Sequence, residues 1–117
     1  MGKRLDGKWG EALALDFLRR KKYVLVDTGY RTRFGEVDII VSDDKYVVFV
    51  EVKLRKDNTF ALPRESVTPA KVKRIRTTAE IWLQGNETEL QPRFDVIEVY
   101  PPEGGKAAKI IHLEDAF

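Results

Sequence analysis

The sequence predicts an α/β domain in which helices cover a mixed β-sheet, in the element order αβββαββ. Three observations carry this. Residues 36–41 and Tyr46–Leu54 are two runs rich in valine and isoleucine, joined by the polar turn Ser42-Asp43-Asp44-Lys45, which reads as a hairpin. A segment with helical spacing of apolar residues lies on each side of that hairpin in the chain. Two more strand-like runs, 93–100 and Lys109–Leu113, follow the second helical segment, so helices and strands interleave as they do in layered α/β folds.

Taken in order, residues 5–22 are expected to form the first helix. Asp6 is its candidate N-cap, and Arg19, Arg20, Lys21 and Lys22 place positive charge at the negative end of the helix dipole. Residues 23–27 read as a short strand and 28–35 as a basic loop containing Arg31 and Arg33. The hairpin follows, then a loop over 56–66 that includes Pro63. The second helix is expected to start at Thr68-Pro69, with threonine as cap and proline in the first helical position. Val72, Ile75, Ala79, Trp82 and Leu83 form its buried stripe, and Gly85 ends it. Residues 101–105 are the turn between the last two strands.

The 117 residues match the size of one domain with its own core. With no cysteine and a single histidine, disulfide frameworks and zinc-finger chemistry are excluded. The N-terminus lacks the apolar stretch of a signal peptide, and no run approaches the length that spans a bilayer. The expectation is a cytoplasmic protein with no membrane partner. Its net charge of +2 says little about nucleic acid, so the placement of charge matters more.

That placement is unusual. Glu36, Asp38, Glu51 and Lys53 lie inside strands, where a turn would hold them at lower cost. Alternation puts Val37, Ile39 and Val41 on one face of the first hairpin strand, and Val48, Val50 and Val52 on one face of the second. Aligning these faces forces Asp38, Glu51 and Lys53 onto a common opposite face, because a slip of one residue would break the apolar surface. A two-residue turn at Asp44-Lys45 sets Asp38 directly against Glu51, with Cβ atoms about 5 Å apart; a turn at Asp43-Asp44 makes them diagonal neighbours at roughly 7–8 Å. Either separation suits two carboxylates sharing a hard divalent cation such as Mg²⁺. A salt-bridged strand face is the structural alternative, with Lys53 neutralising one carboxylate.

The pattern D-x(12)-E-x-K formed by Asp38, Glu51 and Lys53 resembles the PD-(D/E)xK nuclease superfamily. More closely, G-E-V-D-I-I, F-V-E-V-K-L-R, S-V-T-x-x-K, R-F-D-V-I and L-E-D-A-F, in order along nearly the whole chain, resemble the YraN-like family of small bacterial proteins, described as related to Holliday-junction resolvases. The resemblance implies a restriction-endonuclease-like sheet flanked by helices and an endonuclease that hydrolyses DNA, including branched or junction DNA, with Mg²⁺ or Mn²⁺. It implies that Asp38 and Glu51 bind metal and that Lys53 is the catalytic lysine. The backbone carbonyl of Val52 would be a further metal ligand, and Glu11 in W-G-E-A matches a glutamate that the first helix often adds. Glu36 is typical of the closer family and is a candidate to complete the metal shell. Val37 stands where the superfamily has proline.

Helical geometry supports Glu11 independently. It falls between Leu15 and Leu18, close to Ala14, in an otherwise apolar arc, whereas Asp16 has Arg20 four residues on as an ordinary helix pair. Arg31, Arg33, Arg55, Lys71, Lys73 and Arg74 are the candidate nucleic-acid contacts, directed to phosphate rather than bases. Trp9, Trp82 and Phe94 are expected in the core, His112 in a structural role and Asp95 paired with Arg93. A homodimer is expected by analogy with junction resolvases, which need two symmetric sites. The competing functional class is a nucleic-acid-binding domain that keeps this fold without cleavage.

Overall fold

The hairpin strands carry apolar side chains on both faces, so both faces must be covered, and two helices do so. In a computed structural model, which describes residues 7–55, 67–102 and 104–117, the order is α1 (Gly7–Arg20), β1 (Val24–Thr32), β2 (Gly35–Ser42), β3 (Tyr46–Leu54), α2 (Pro69–Gly85), β4 (Gln91–Tyr100) and β5 (Lys109–Leu113). This is the expected α/β order αβββαββ. The five strands lie side by side in chain order. All neighbours are antiparallel except β3 and β4, which run parallel because α2 carries the chain back across the sheet.

On one face Ile39, Val41, Val48 and Val50 pack with Ala14 and Leu18 of α1; on the other Ile40, Val47 and Phe49 pack with Ile75, Ala79 and Trp82 of α2. Val37 departs from the expected alternation and joins the α2 side. It lies beyond the last residue pair of the β2–β3 ladder, where pairing to β3 no longer holds the strand to a flat pleat. Trp82 and Phe94 are core residues, and Trp9 packs against the α1-side core.

Capping sets the helix limits. Thr68 Oγ1 accepts the Lys71 N–H at 3.2 Å, with Pro69 opening α2. Lys22 adopts φ 76°, and Tyr23 N–H reaches back to Leu18 C=O at 3.1 Å, which ends α1 two residues earlier than expected. Asp16 and Arg20 pair at 2.8 Å. The proposed cap Asp6 and the 56–66 loop lie outside the described residues.

The expected basic loop 28–35 is mostly strand. Tyr30, Arg31 and Thr32 pair with Val37, Glu36 and Gly35, leaving only Arg33-Phe34 as the hairpin tip. Gly29, at φ 61°, supplies a left-handed residue in mid-strand, and the register shifts between Leu25 and Asp27. Among the described residues, no helix is long and apolar enough to cross a membrane.

A buried polar network ties β5 and the α1–β1 connection to β4. Arg93 donates twice to Asp95, at 2.9 and 2.7 Å, and once to the Tyr23 hydroxyl at 2.7 Å. His112 Nε2 lies 2.7 Å from Asp95, and the Asp115 N–H donates to it at 3.0 Å. Burial alone would push the Asp95 carboxyl up, but hydrogen bonds from His112, Arg93 and Asp115 hold it below the usual carboxylate range. A depressed folded value means this stability is present above the unfolded value of about 3.9 and is lost as pH falls through the folded one. Asp95→Asn, which leaves Arg93 buried without its counter-charge, is expected to cost about 3 kcal/mol or more in urea unfolding at pH 7, with the deficit shrinking in strong acid.

Candidate active site

The site begins where the β2–β3 ladder stops. The turn is Asp44-Lys45, closed by the Asp43 N–H to Tyr46 C=O bond at 3.0 Å, while the Asp43 carboxylate accepts from Lys45 N–H and Tyr46 N–H. Pairing then runs from Ser42 and Val47 to Ile39 and Val50, the register whose next step sets Asp38 against Glu51. At that step the Asp38 carboxylate itself accepts the Val52 N–H at 2.8 Å. A side chain thus satisfies a donor that a neighbouring strand would otherwise take. In an extended strand the N–H and C=O of one residue point to the same edge, so the Val52 carbonyl faces the edge where Asp38 sits.

Around this point lies an open cleft of about 200 Å³ lined by Gly35, Glu36, Asp38, Glu51, Lys71, Arg74 and Ile75. Gly35 lets β2 and α2 meet: a Cβ there would stand 3.2 Å from Arg74 Cβ and 3.3 Å from Thr78 Oγ1. That approach brings the first turn of α2 over β3. Lys71 Nζ then reaches Glu51 Oε2 at 2.7 Å, and Lys53 Nζ lies 3.6 Å from the same oxygen.

Charge in the cleft is out of balance. Burial, then the Glu51 carboxylate, push the Asp38 carboxyl up to about 7, with Glu11 and Glu36 adding to the effect against the Val52 hydrogen bond. Glu11, on the helix covering the other face, is raised by burial first and then by Glu36 and Glu51, so its charge is felt at the site. Burial and the neighbouring Lys71 hold Lys53 below the usual lysine range. Burial would lower Lys71 too, but its bond to Glu51 outweighs this and raises it.

The donor set suits Mg²⁺ or Mn²⁺. Asp38, Glu51 and the Val52 carbonyl are hard oxygen groups, and a divalent charge would relieve the repulsion that raises Asp38. Among the described residues no group of three or more carboxylate or imidazole side chains is placed to hold a metal ion, so a cation here would rest on two carboxylates, a carbonyl and water. Such a site leaves positions for water and substrate oxygens, as Mg²⁺ sites commonly do.

The predicted cationic residues divide. Arg33, Lys73 and Arg74 are exposed, and Arg31 is exposed with one contact to Glu36 at 3.4 Å. Lys71, expected at phosphate, instead faces inward to Glu51; its position four residues before buried Ile75 puts it on the sheet-facing side of α2. Arg55 is drawn inward by an ion pair to Glu98, which is fully buried and also accepts the Tyr100 hydroxyl at 2.8 Å. Glu98 was the missed partner; its signal is a carboxylate inside the otherwise apolar run V-I-E-V-Y.

Because the folded value for Asp38 lies above the unfolded one, its ionisation weakens the fold: stability falls as pH rises from about 4 towards 7. Asp38→Asn retains an oxygen for the Val52 N–H and removes that charge. In chelator, it is expected to raise the melting temperature at pH 8 and leave it little changed near pH 4, as measured by thermal denaturation.

The relatives agree along nearly the whole chain. A family model described as "Uncharacterised protein family UPF0102" matches residues 10–99. A UPF0102 protein of Caldicellulosiruptor bescii is 42% identical over 113 residues, covering 95% of each chain. One of Alkaliphilus oremlandii is 43% identical over the full length of both, and one of Acetivibrio thermocellus is 43% identical over 98% of this chain and 92% of its own. The matched span contains Glu11, Glu36, Asp38, Glu51, Val52, Lys53 and Lys71, and the resemblance to YraN-like proteins is borne out at the level of family. The chain belongs to the UPF0102 family.

Proposed function

We propose that the cleft is a metal-dependent phosphodiesterase site acting on DNA, on the plan of the PD-(D/E)xK nucleases. The observation that carries this reading is the Asp38–Val52 bond beside Glu51: it puts two carboxylates on one opening, with the Val52 strand edge at Asp38 and the Lys53 amine 3.6 Å from Glu51. Two carboxylates opposed on a sheet repel, and a purely structural face avoids that arrangement.

Asp38, Glu51 and the Val52 carbonyl are the residues that would hold Mg²⁺ or Mn²⁺, with Glu36 or Glu11 available to extend the shell. When bound, the ion supplies polarisation of the phosphoryl oxygen and a more acidic water. Lys53 places its amine beside the scissile phosphate, where it orients the attacking water and stabilises the charge that builds on phosphorus oxygens. Lys71 holds the Glu51 carboxylate in place through the same oxygen that Lys53 approaches. Arg31, Arg33, Lys73 and Arg74 offer phosphate contacts on the surface around the cleft, so grip follows the backbone rather than sequence. On branched DNA with two-fold symmetry, two copies of the chain would present two such sites, which is the ground for a homodimer.

One observation favours a second reading, a DNA-binding domain without cleavage: Lys71 already neutralises Glu51 at 2.7 Å, as an internal counter-ion would. Cleavage assays on linear, single-stranded, flap and four-way-junction DNA with Mg²⁺ or Mn²⁺ separate the two. Asp38→Ala and Lys53→Ala are each expected to lower the rate by about 10²-fold or more, the size typical of losing one transition-state contact. Equal rates in all three proteins would remove the nuclease reading. DNA binding that survives EDTA and both substitutions, with no cleavage of any substrate, would establish the second.

A further inference from the structure

Phe34 is 43% exposed, one of three large apolar side chains that stand in water among the described residues. It sits at the tip of the β1–β2 hairpin, immediately before Gly35, the first residue lining the cleft. The tip is built rigidly. Phe34 N–H donates to Thr32 Oγ1 at 3.1 Å, and Thr32 Oγ1 lies 3.3 Å from Thr78 Oγ1 on α2. The close approach of Gly35 to Arg74 and Thr78 fixes the same corner. The part of the ring left in water contributes no apolar burial to the fold.

The surroundings indicate what the ring meets. The Arg33 guanidinium lies over it, 5.0 Å from its centre, and Arg31 and Arg74 are exposed nearby along β1 and α2. An exposed ring among arginines, next to the proposed phosphodiesterase cleft, is the pairing used by single-strand binders: cations follow the backbone and aromatics stack the bases.

We propose that Phe34 is a stacking platform for one nucleobase beside the scissile phosphate, and that the substrate class of the cleft is DNA with an unstacked base at that point rather than uninterrupted duplex. This rests on the phosphodiesterase reading for the position of the phosphate, but the stacking itself is measured without cleavage. A base within a continuous duplex is already stacked on both sides and cannot cover the ring; a base at a fork, flap or single-stranded stretch can.

The test is binding of the full chain in EDTA to fluorescein-labelled forked DNA and to a continuous duplex of equal length, with 2-aminopurine at the first unpaired position of a second fork. Wild type is expected to favour the fork by about tenfold, in line with one base–aromatic stack, and to quench the 2-aminopurine. Phe34→Ala should lose both the preference and the quenching while keeping its duplex affinity and melting temperature, and Phe34→Trp should restore both. A fork preference that survives Phe34→Ala overturns the proposal, as does equal binding of both DNAs, or of neither, by wild type. Failure of the phosphodiesterase reading has a different signature: absence of Asp38-dependent cleavage, whatever Phe34 does.

Discussion

The arrangement depends on one hydrogen bond, from the Val52 N–H to the Asp38 carboxylate. β2 and β3 pair as an ordinary antiparallel ladder up to Ile39 and Val50, and then a side chain stands where a backbone carbonyl would. The substitution opens the sheet without leaving a buried donor unpaired, which would cost more than the bond is worth. The opening lies between central strands that are held on their other sides: β3 by its parallel partner β4, and β2 by β1. The carboxylates are therefore fixed by strands rather than by loops, the support that precise catalytic geometry requires.

The electrostatics follow from that opening. Asp38 and Glu51 share a half-closed space, and the fold answers with two lysines from different elements, both directed at Glu51. Burial, and then the Glu51 charge beside it, raise the Asp38 carboxyl to about 7. The fold thus bears a standing electrostatic cost at the site. The Arg93–Asp95–His112 network on the α1 side shows the opposite case, where burial of a carboxylate is matched by a guanidinium and further hydrogen bonds. One chain treats two strand aspartates in contrasting ways, and the raised one is where the proposed cation would sit.

Much of this was legible in the sequence. The parity of two valine-rich strands joined by a short turn put Asp38, Glu51 and Lys53 on one expected face, but the sequence left two turns open, and only the structure selects Asp44-Lys45 and with it the register. Thr68-Pro69 announced α2 by its capping chemistry. β1 was read short because T-G-Y-R-T carries no apolar alternation: it is an edge strand, its residues are mostly exposed, and pairing with β2 rather than burial makes it a strand. The inward turn of Lys71 and Arg55 was hidden for a different reason. Each pairs with a carboxylate distant in sequence, Glu51 and Glu98, and only the placement of α2 and the parallel alignment of β4 bring those partners near. The strict alternation assigned to Val37 failed beyond the end of the ladder, where the pleat is no longer imposed by β3.

The central claim is that Asp38 and Glu51 together seat a divalent cation at the end of the β2–β3 ladder. The most direct measurement is a crystal structure grown with Mn²⁺, read by its anomalous signal. The account predicts a single strong peak within about 2.5 Å of carboxylate oxygens of both residues and of the Val52 carbonyl, with Lys71 Nζ displaced from Glu51. A cleft without a peak at millimolar Mn²⁺, with Lys71 still on Glu51, would contradict it.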